Sequence, residues 1–144
     1  MNSKNIGDIG EAKVLTKFLE LGYDVYLPFG ENTRIDMIVN INGELCKIQV
    51  KTSQRYKNGY TKFNLASNVD RGVSRYVYTE DDIDYFALYS VINDEIYLIH
   101  VNDAPDIAIQ IRNTDAKLSM KTIRKAEDYL IDNVLEKINT NAPQ

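Results

Sequence analysis

RIDMIVNINGELCKIQVK, residues 34–51, has the pattern of a β-hairpin. An alternating run over 34–39 leads into a turn at 40–43, and a second run follows over 45–51. Asn42-Gly43 is a strong hairpin signal, because both residues accept positive φ. Alternate strand residues share a face. Gln49 and Lys51 therefore point one way, while Ile48 and Val50 point the other, together with Cys46 as core filler. Asp36 sits in the middle of the first strand. An acid on one strand, with an amide and an ammonium on its neighbour, makes a convergent polar site on a rigid scaffold. The same residues also suit an ordinary surface ion pair, which contributes only about 0.2–1 kcal/mol.

Upstream, residues 7–21 have helical periodicity, with Ile9, Ala12, Leu15, Phe18 and Leu19 as the apolar stripe. Asp8 is the expected N-cap and Gly22 the stop signal. Glu11 falls in the first turn, where the helix dipole favours a carboxylate. Gly7 and Gly10 cost helix propensity and point to close approach by another group. Residues 23–29 form a strand whose Pro28 marks an edge or exit position.

Downstream, residues 52–59 are expected to be a polar loop and 60–65 a strand. Residues 68–78 are polar and hold Arg71, Arg75, Tyr76 and Tyr78. That mixture suits contact with phosphate and base, or equally a solvated loop with aromatic anchors. Residues 84–91 and 95–101 form a second alternating pair in the sheet interior, with Asp84 as a capping residue and His100 structural. Residues 108–111 make a short edge strand. A final helix is expected over 119–138, with Ile123, Ala126, Leu130, Ile131, Val134, Leu135 and Ile138 on its apolar stripe, and 139–144 fray. The whole 1–144 reads as one α/β domain, a mixed sheet with a helix opening and closing it.

Composition narrows the function. One cysteine and one histidine argue against an internal disulfide, a Cys/His zinc site and a histidine-based triad. No apolar run reaches the roughly 18 residues a membrane span requires, and no secretory leader opens the chain, so a cytoplasmic address is expected. The net charge of −4 speaks against nucleic acid, but its distribution qualifies this. Residues 51–79 hold six basic residues against Asp70 alone, whereas the rest of the chain has 11 basic against 20 acidic. Lys51, Arg55, Lys57, Lys62, Arg71 and Arg75 thus mark where a polyanion would lie.

Glu11 on a helix, Ile35-Asp36 on a strand, and Gln49-Val50-Lys51 on the next strand together resemble the PD-(D/E)xK nuclease superfamily. GDIGEA at 7–12 and the later DIDYFALY and IYLIHV segments look most like its group I intron-encoded homing endonucleases. The resemblance covers roughly residues 5–102 and implies a restriction-endonuclease-like α-β-β-β-α-β core. Two positions depart from the motif. Ile35 stands where the motif has proline, and Gln49 stands where most members have a second strand carboxylate, although the intron-encoded branch is similar in carrying glutamine.

The resemblance implies Glu11, Asp36, Gln49 and Lys51 as catalytic residues, with Asp36, Gln49 and Glu11 as ligands of Mg²⁺, or of Mn²⁺ as a substitute. Lys51 would orient or activate the attacking water. Gln49 can ligate through its carbonyl oxygen but adds no negative charge. The expected partner is double-stranded DNA, cut at a specific site by a homodimer or homotetramer. Two other readings fit the same residues: a Holliday-junction resolvase-like or repair nuclease, and a catalytically silent DNA-binding member of the fold.

Overall fold

The computed structural model describes residues 2–30, 32–113 and 123–141. Its opening helix α1 (Ser3–Glu20) starts five residues before the expected N-cap, because Asn2 rather than Asp8 supplies the cap, accepting from the Asn5 amide at 2.9 Å. The buried face is Gly10, Val14 and Phe18, not the stripe through Ile9 and Leu19, which are 39% and 56% exposed. The expected stop at Gly22 holds. Gly22 adopts φ +88°, with its amide on the Leu19 carbonyl and the Tyr23 amide on the Phe18 carbonyl, both at 3.0 Å. This is a Schellman motif, and the Tyr23 ring meets Phe18 edge-on to complete it.

Strands β1 (Val25–Tyr26), β2 (Met37–Ile41) and β3 (Glu44–Ser53) follow in antiparallel order, with β1 at the sheet edge as Pro28 implied. Asn42 and Gly43 take φ 55° and 88° in the β2–β3 turn, and the Asn40 side chain accepts from the Gly43 amide. Residues 52–59 are not a loop throughout. β3 runs to Ser53, and β4 (Tyr56–Lys57) pairs with β5 (Tyr60–Asn64) across a second positive-φ pair, Asn58-Gly59. Residues 68–78 also fold, as the hairpin of β6 (Ser67–Val69) and β7 (Ser74–Tyr76) around a 3-10 turn at Asp70–Gly72.

Strand β8 (Tyr85–Ser90) returns parallel to β3, and β9 (Glu95–His100) closes the order β1-β2-β3-β8-β9. In this chain β-strands and a 3-10 turn occupy the β3-to-β8 crossover, where the α-β-β-β-α-β order has a helix. β10 (Ala108–Arg112) pairs with β5, giving a separate three-stranded sheet, β10-β5-β4.

Side chains from the two faces of the main sheet enter two cores. One joins α1 to Met37, Val39, Cys46, Ile48, Val50, Ala87 and Leu98. The other joins Phe86, Leu88, Tyr97 and Ile99 to Phe63, Ile109 and Ile111 of the small sheet and to Leu65 just past β5. β8 and β9 are buried on both faces, which explains their near-continuous apolar sequence.

The final helix is broken. α2 (Ala126–Tyr129) and α3 (Ile131–Thr140) meet at Leu130, which is extended and bridges Tyr97 on the edge strand. Leu130 packs with the second core and Ile131 is buried in the first, so the break takes the chain around the sheet edge. A single helical stripe through both residues would have put them on one face. The start of the expected helix, 119–122, and the chain end, 142–144, lie outside the described residues.

Candidate active site

Asp36 is not within a strand. It stands just before β2, with its amide donating to the Ile48 carbonyl at 2.8 Å. One step further along that edge of β3, the Val50 amide receives no strand partner and donates instead to the Asp36 carboxylate at 2.7 Å. The side chain thus substitutes for strand pairing, which fixes the carboxylate against the second half of β3. Burial raises the Asp36 pKa, opposed by the Val50 hydrogen bond, a hydrogen bond with Glu11 and the charge of Lys51.

Glu11 reaches this carboxylate from α1. Its pKa is pushed from 4.5 up to about 7, first by loss of water, then by the Asp36 charge and their shared hydrogen bond, and last by Asp8. Two carboxyls in contact hold one proton more easily than none, and the pKa values of both are raised. The folded chain therefore binds more protons than the unfolded chain between pH 4.5 and about 7. The sign follows: this stabilising contribution is full below pH 4.5 and is lost as pH rises through about 7. Glu11→Gln is expected to flatten the decline in melting temperature across that window and to melt above the parent at pH 8. A slope unchanged by the substitution would remove Glu11 from this coupling.

Lys51 lies two residues beyond Gln49 on the same face of β3. Its ammonium donates to the Ser67 hydroxyl at 3.2 Å and sits 4.9 Å from the centre of the Tyr78 ring. Burial lowers its pKa, and Asp36 works in the opposite direction. Gln49 turns its amide nitrogen to the Val50 carbonyl at 3.4 Å, leaving its side-chain oxygen as the remaining acceptor. Hydrogen bonding and charge thus connect Glu11, Asp36 and Lys51, with Gln49 beside them on the strand.

The five basic residues outside this centre divide between two arms. Arg55 and Lys57 are exposed and Lys62 is half-buried, all on or beside the β4–β5 hairpin. Arg71 and Arg75 are exposed on the β6–β7 hairpin, with Arg71 held at φ 56° by the tight turn. Arg34, Ser67 and the role of Tyr78 were not picked out by sequence. The Arg34 guanidinium stacks 3.7 Å from the centre of the Tyr76 ring, whose hydroxyl donates to Asp82 at 2.9 and 3.0 Å. These contacts arise only when 34 and 67–82 are folded together, and no local pattern announces them.

The centre supplies two adjoining carboxyls and a neutral amide oxygen, all hard donors that suit Mg²⁺ or Mn²⁺. Among the described residues there is no cluster of three or more His, Cys, Asp or Glu side chains able to hold a metal ion. An ion here would draw charge from Asp36 and Glu11 alone. The raised pKa values of the pair mark the same excess of negative charge that a cation would neutralise.

Comparison with known proteins places the fold and the family. A family model described as PD-(D/E)XK endonuclease matches residues 1–132. Protein 5.3 of Escherichia phage T7 is 28% identical over 123 residues, covering 82% of this chain and 100% of that protein. The bacterial homing endonuclease I-Ssp6803I superposes with a TM-score of 0.78 at 22% identity, covering 100% of both chains, a likeness of fold. With a mixed sheet flanked by helices, the fold is restriction-endonuclease-like. The chain belongs to the PD-(D/E)XK endonuclease family and is a nuclease.

Proposed function

We propose that the chain is a single-domain, metal-dependent endonuclease that hydrolyses phosphodiester bonds at specific sites in double-stranded DNA. The observation that carries this reading is the linkage of a carboxyl pair, Glu11 and Asp36, to the ammonium of Lys51. Asp36, Glu11 and the Gln49 oxygen would hold Mg²⁺ or Mn²⁺. When bound, such an ion polarises the scissile phosphate and offsets the charge that develops in the transition state. Asp36 keeps a fixed position because the Val50 amide holds one of its oxygens. Lys51 orients the attacking water and balances phosphate charge. Arg55, Lys57, Lys62, Arg71 and Arg75 lie along the backbone of the duplex, where each phosphate contact makes binding more salt-dependent.

A chain of this size reads a long site most readily as two or four copies, and cutting both strands together needs two centres. The likeness to a homing endonuclease supports a site-specific rather than a general nuclease. The test is cleavage of a plasmid library with a randomised insert, in EDTA, Mg²⁺ and Mn²⁺, next to a four-way junction of matched sequence. Metal-dependent cutting at one or a few sequences is expected. Preference for the junction over every linear duplex would replace site specificity with structure specificity, and binding without cutting in either metal would leave a silent DNA-binding fold.

A further inference from the structure

The β6–β7 hairpin joins the centre through Ser67, a contact that sequence did not disclose. Among the described residues β6 and β7 pair only with each other. The pairs alternate in facing: Ser67 opposes Tyr76 and Val69 opposes Ser74, whereas Asn68 opposes Arg75 on the other side. Asn68, Arg71 and Arg75 are all exposed. A two-stranded ribbon of this kind fits the major groove, where asparagine and arginine pair with base edges.

The base of the ribbon meets the reaction centre at one atom. Ser67 Oγ accepts from the Lys51 ammonium at 3.2 Å and shares a hydrogen bond with the Tyr78 hydroxyl at 2.5 Å. The ammonium only donates, so Ser67 Oγ accepts from it and keeps a further hydrogen bond with the Tyr78 hydroxyl, in which either oxygen is able to donate. Tyr78 is only 9% exposed and packs edge-on against Phe86 of the core and Tyr76 of the hairpin. Tyr78 is therefore fixed, Ser67 is fixed to Tyr78, and Lys51 takes its position from Ser67. A long lysine side chain with three rotatable donors is otherwise poorly placed by its own strand.

We infer that Ser67 is a positioning residue for Lys51: its hydroxyl, at the base of the β6–β7 hairpin, holds the ammonium in place for reaction. The inference rests on the nuclease reading above and deepens it. The hairpin presents Asn68 and Arg75 to the duplex, while Ser67, one position before Asn68, ties the same hairpin to Lys51.

The experiment compares Ser67→Ala and Ser67→Thr with the parent in single-turnover cleavage, DNA affinity and the ¹⁵N resonance of the Lys51 ammonium. Ser67→Ala is expected to slow the cleavage step by about 10- to 100-fold, with the Kd for DNA changed less than threefold and a displaced or lost Lys51 signal. Ser67→Thr keeps the hydroxyl and restores the rate to within about threefold. Equal rates in parent and Ser67→Ala overturn the inference, as does a loss of rate that follows affinity or is not rescued by threonine. If the parent cuts nothing, the nuclease reading fails by itself, and the Lys51 resonance still decides the positioning claim: an unmoved signal in Ser67→Ala overturns it.

Discussion

Replacing Lys51 with methionine is expected to lower the rate of DNA cleavage by about three orders of magnitude, or ~4 kcal/mol of transition-state stabilisation. Methionine keeps most of the apolar stem that packs near Tyr78 and removes only the charge and the donors. DNA affinity should change less than threefold, because the arginines and lysines on the two hairpin arms carry most of the backbone contact. Folding should survive as well. Burial disfavours the ammonium and Asp36 favours it, so its loss removes opposing contributions at once. Arginine at the same position separates two roles. A guanidinium keeps the charge but does not give up its proton, and its fork does not fit the single Ser67 oxygen. Lys51→Arg is expected to recover little of the rate. Full recovery would mean that charge alone is needed at this position, and unchanged cleavage by Lys51→Met would remove the residue from the chemistry.

The hairpin at 34–51 was legible because its signals are local. Asn42-Gly43 requires positive φ, and the period-two pattern of β3 fixes which side chains share a face. The Schellman end of α1 was legible for the same reason, from Gly22. Asn58-Gly59 has the same signature as Asn42-Gly43, yet the polar residues around it masked the strands, since β4 is two residues long and exposed. The β6–β7 hairpin carries no such pair. Its turn uses Asp70 and Arg71 at φ 51° and 56°, which side chains seldom adopt and composition does not reveal.

Long-range contacts account for the other differences. Asp36 alternates in sequence as a strand residue would, but its carboxylate replaces the strand pairing that Val50 would otherwise make. Leu130 belongs to a helical stripe in sequence, but its backbone turns aside to bridge Tyr97. The spacing of Glu11, Gln49 and Lys51 was readable because each occupies a fixed place on a recognisable element, with Asp36 at the entry to β2. Ser67 and Arg34 were not, because their partners, Lys51 and Tyr76, lie far away along the chain.

The burial of Gly10 leads to the second large effect. Alanine is ordinarily the better helix former by about 1 kcal/mol, so at a free position in α1 the substitution would stabilise. Gly10 is not at a free position. A Cβ built there would overlap the Thr52 hydroxyl and lie 3.0 Å from the Thr52 Cβ. Rotating the hydroxyl away relieves the first contact but not the second, because the Cβ belongs to the backbone frame of β3. The helix must therefore lift, and the overpacking is expected to cost about 1–3 kcal/mol in urea denaturation. Lifting α1 also moves Glu11, the next residue, away from Asp36. A displacement near 1 Å can cost a further 100-fold or so in rate, so Gly10→Ala should lose cleavage beyond what its stability alone explains. Gly7 provides the internal control: it shares the helix and has nothing within 4 Å of its would-be Cβ, so Gly7→Ala should be neutral or stabilising. Combining Gly10→Ala with Thr52→Ala removes the overlapping hydroxyl and should return part of both losses, a coupling that a double-mutant cycle measures directly. A Gly10→Ala protein as stable and active as the Gly7→Ala control would mean that α1 does not sit on β3 this closely. The contact between Glu11 and Asp36 would then need another explanation, because the missing side chain at Gly10 is what lets the helix bring one carboxyl to the other.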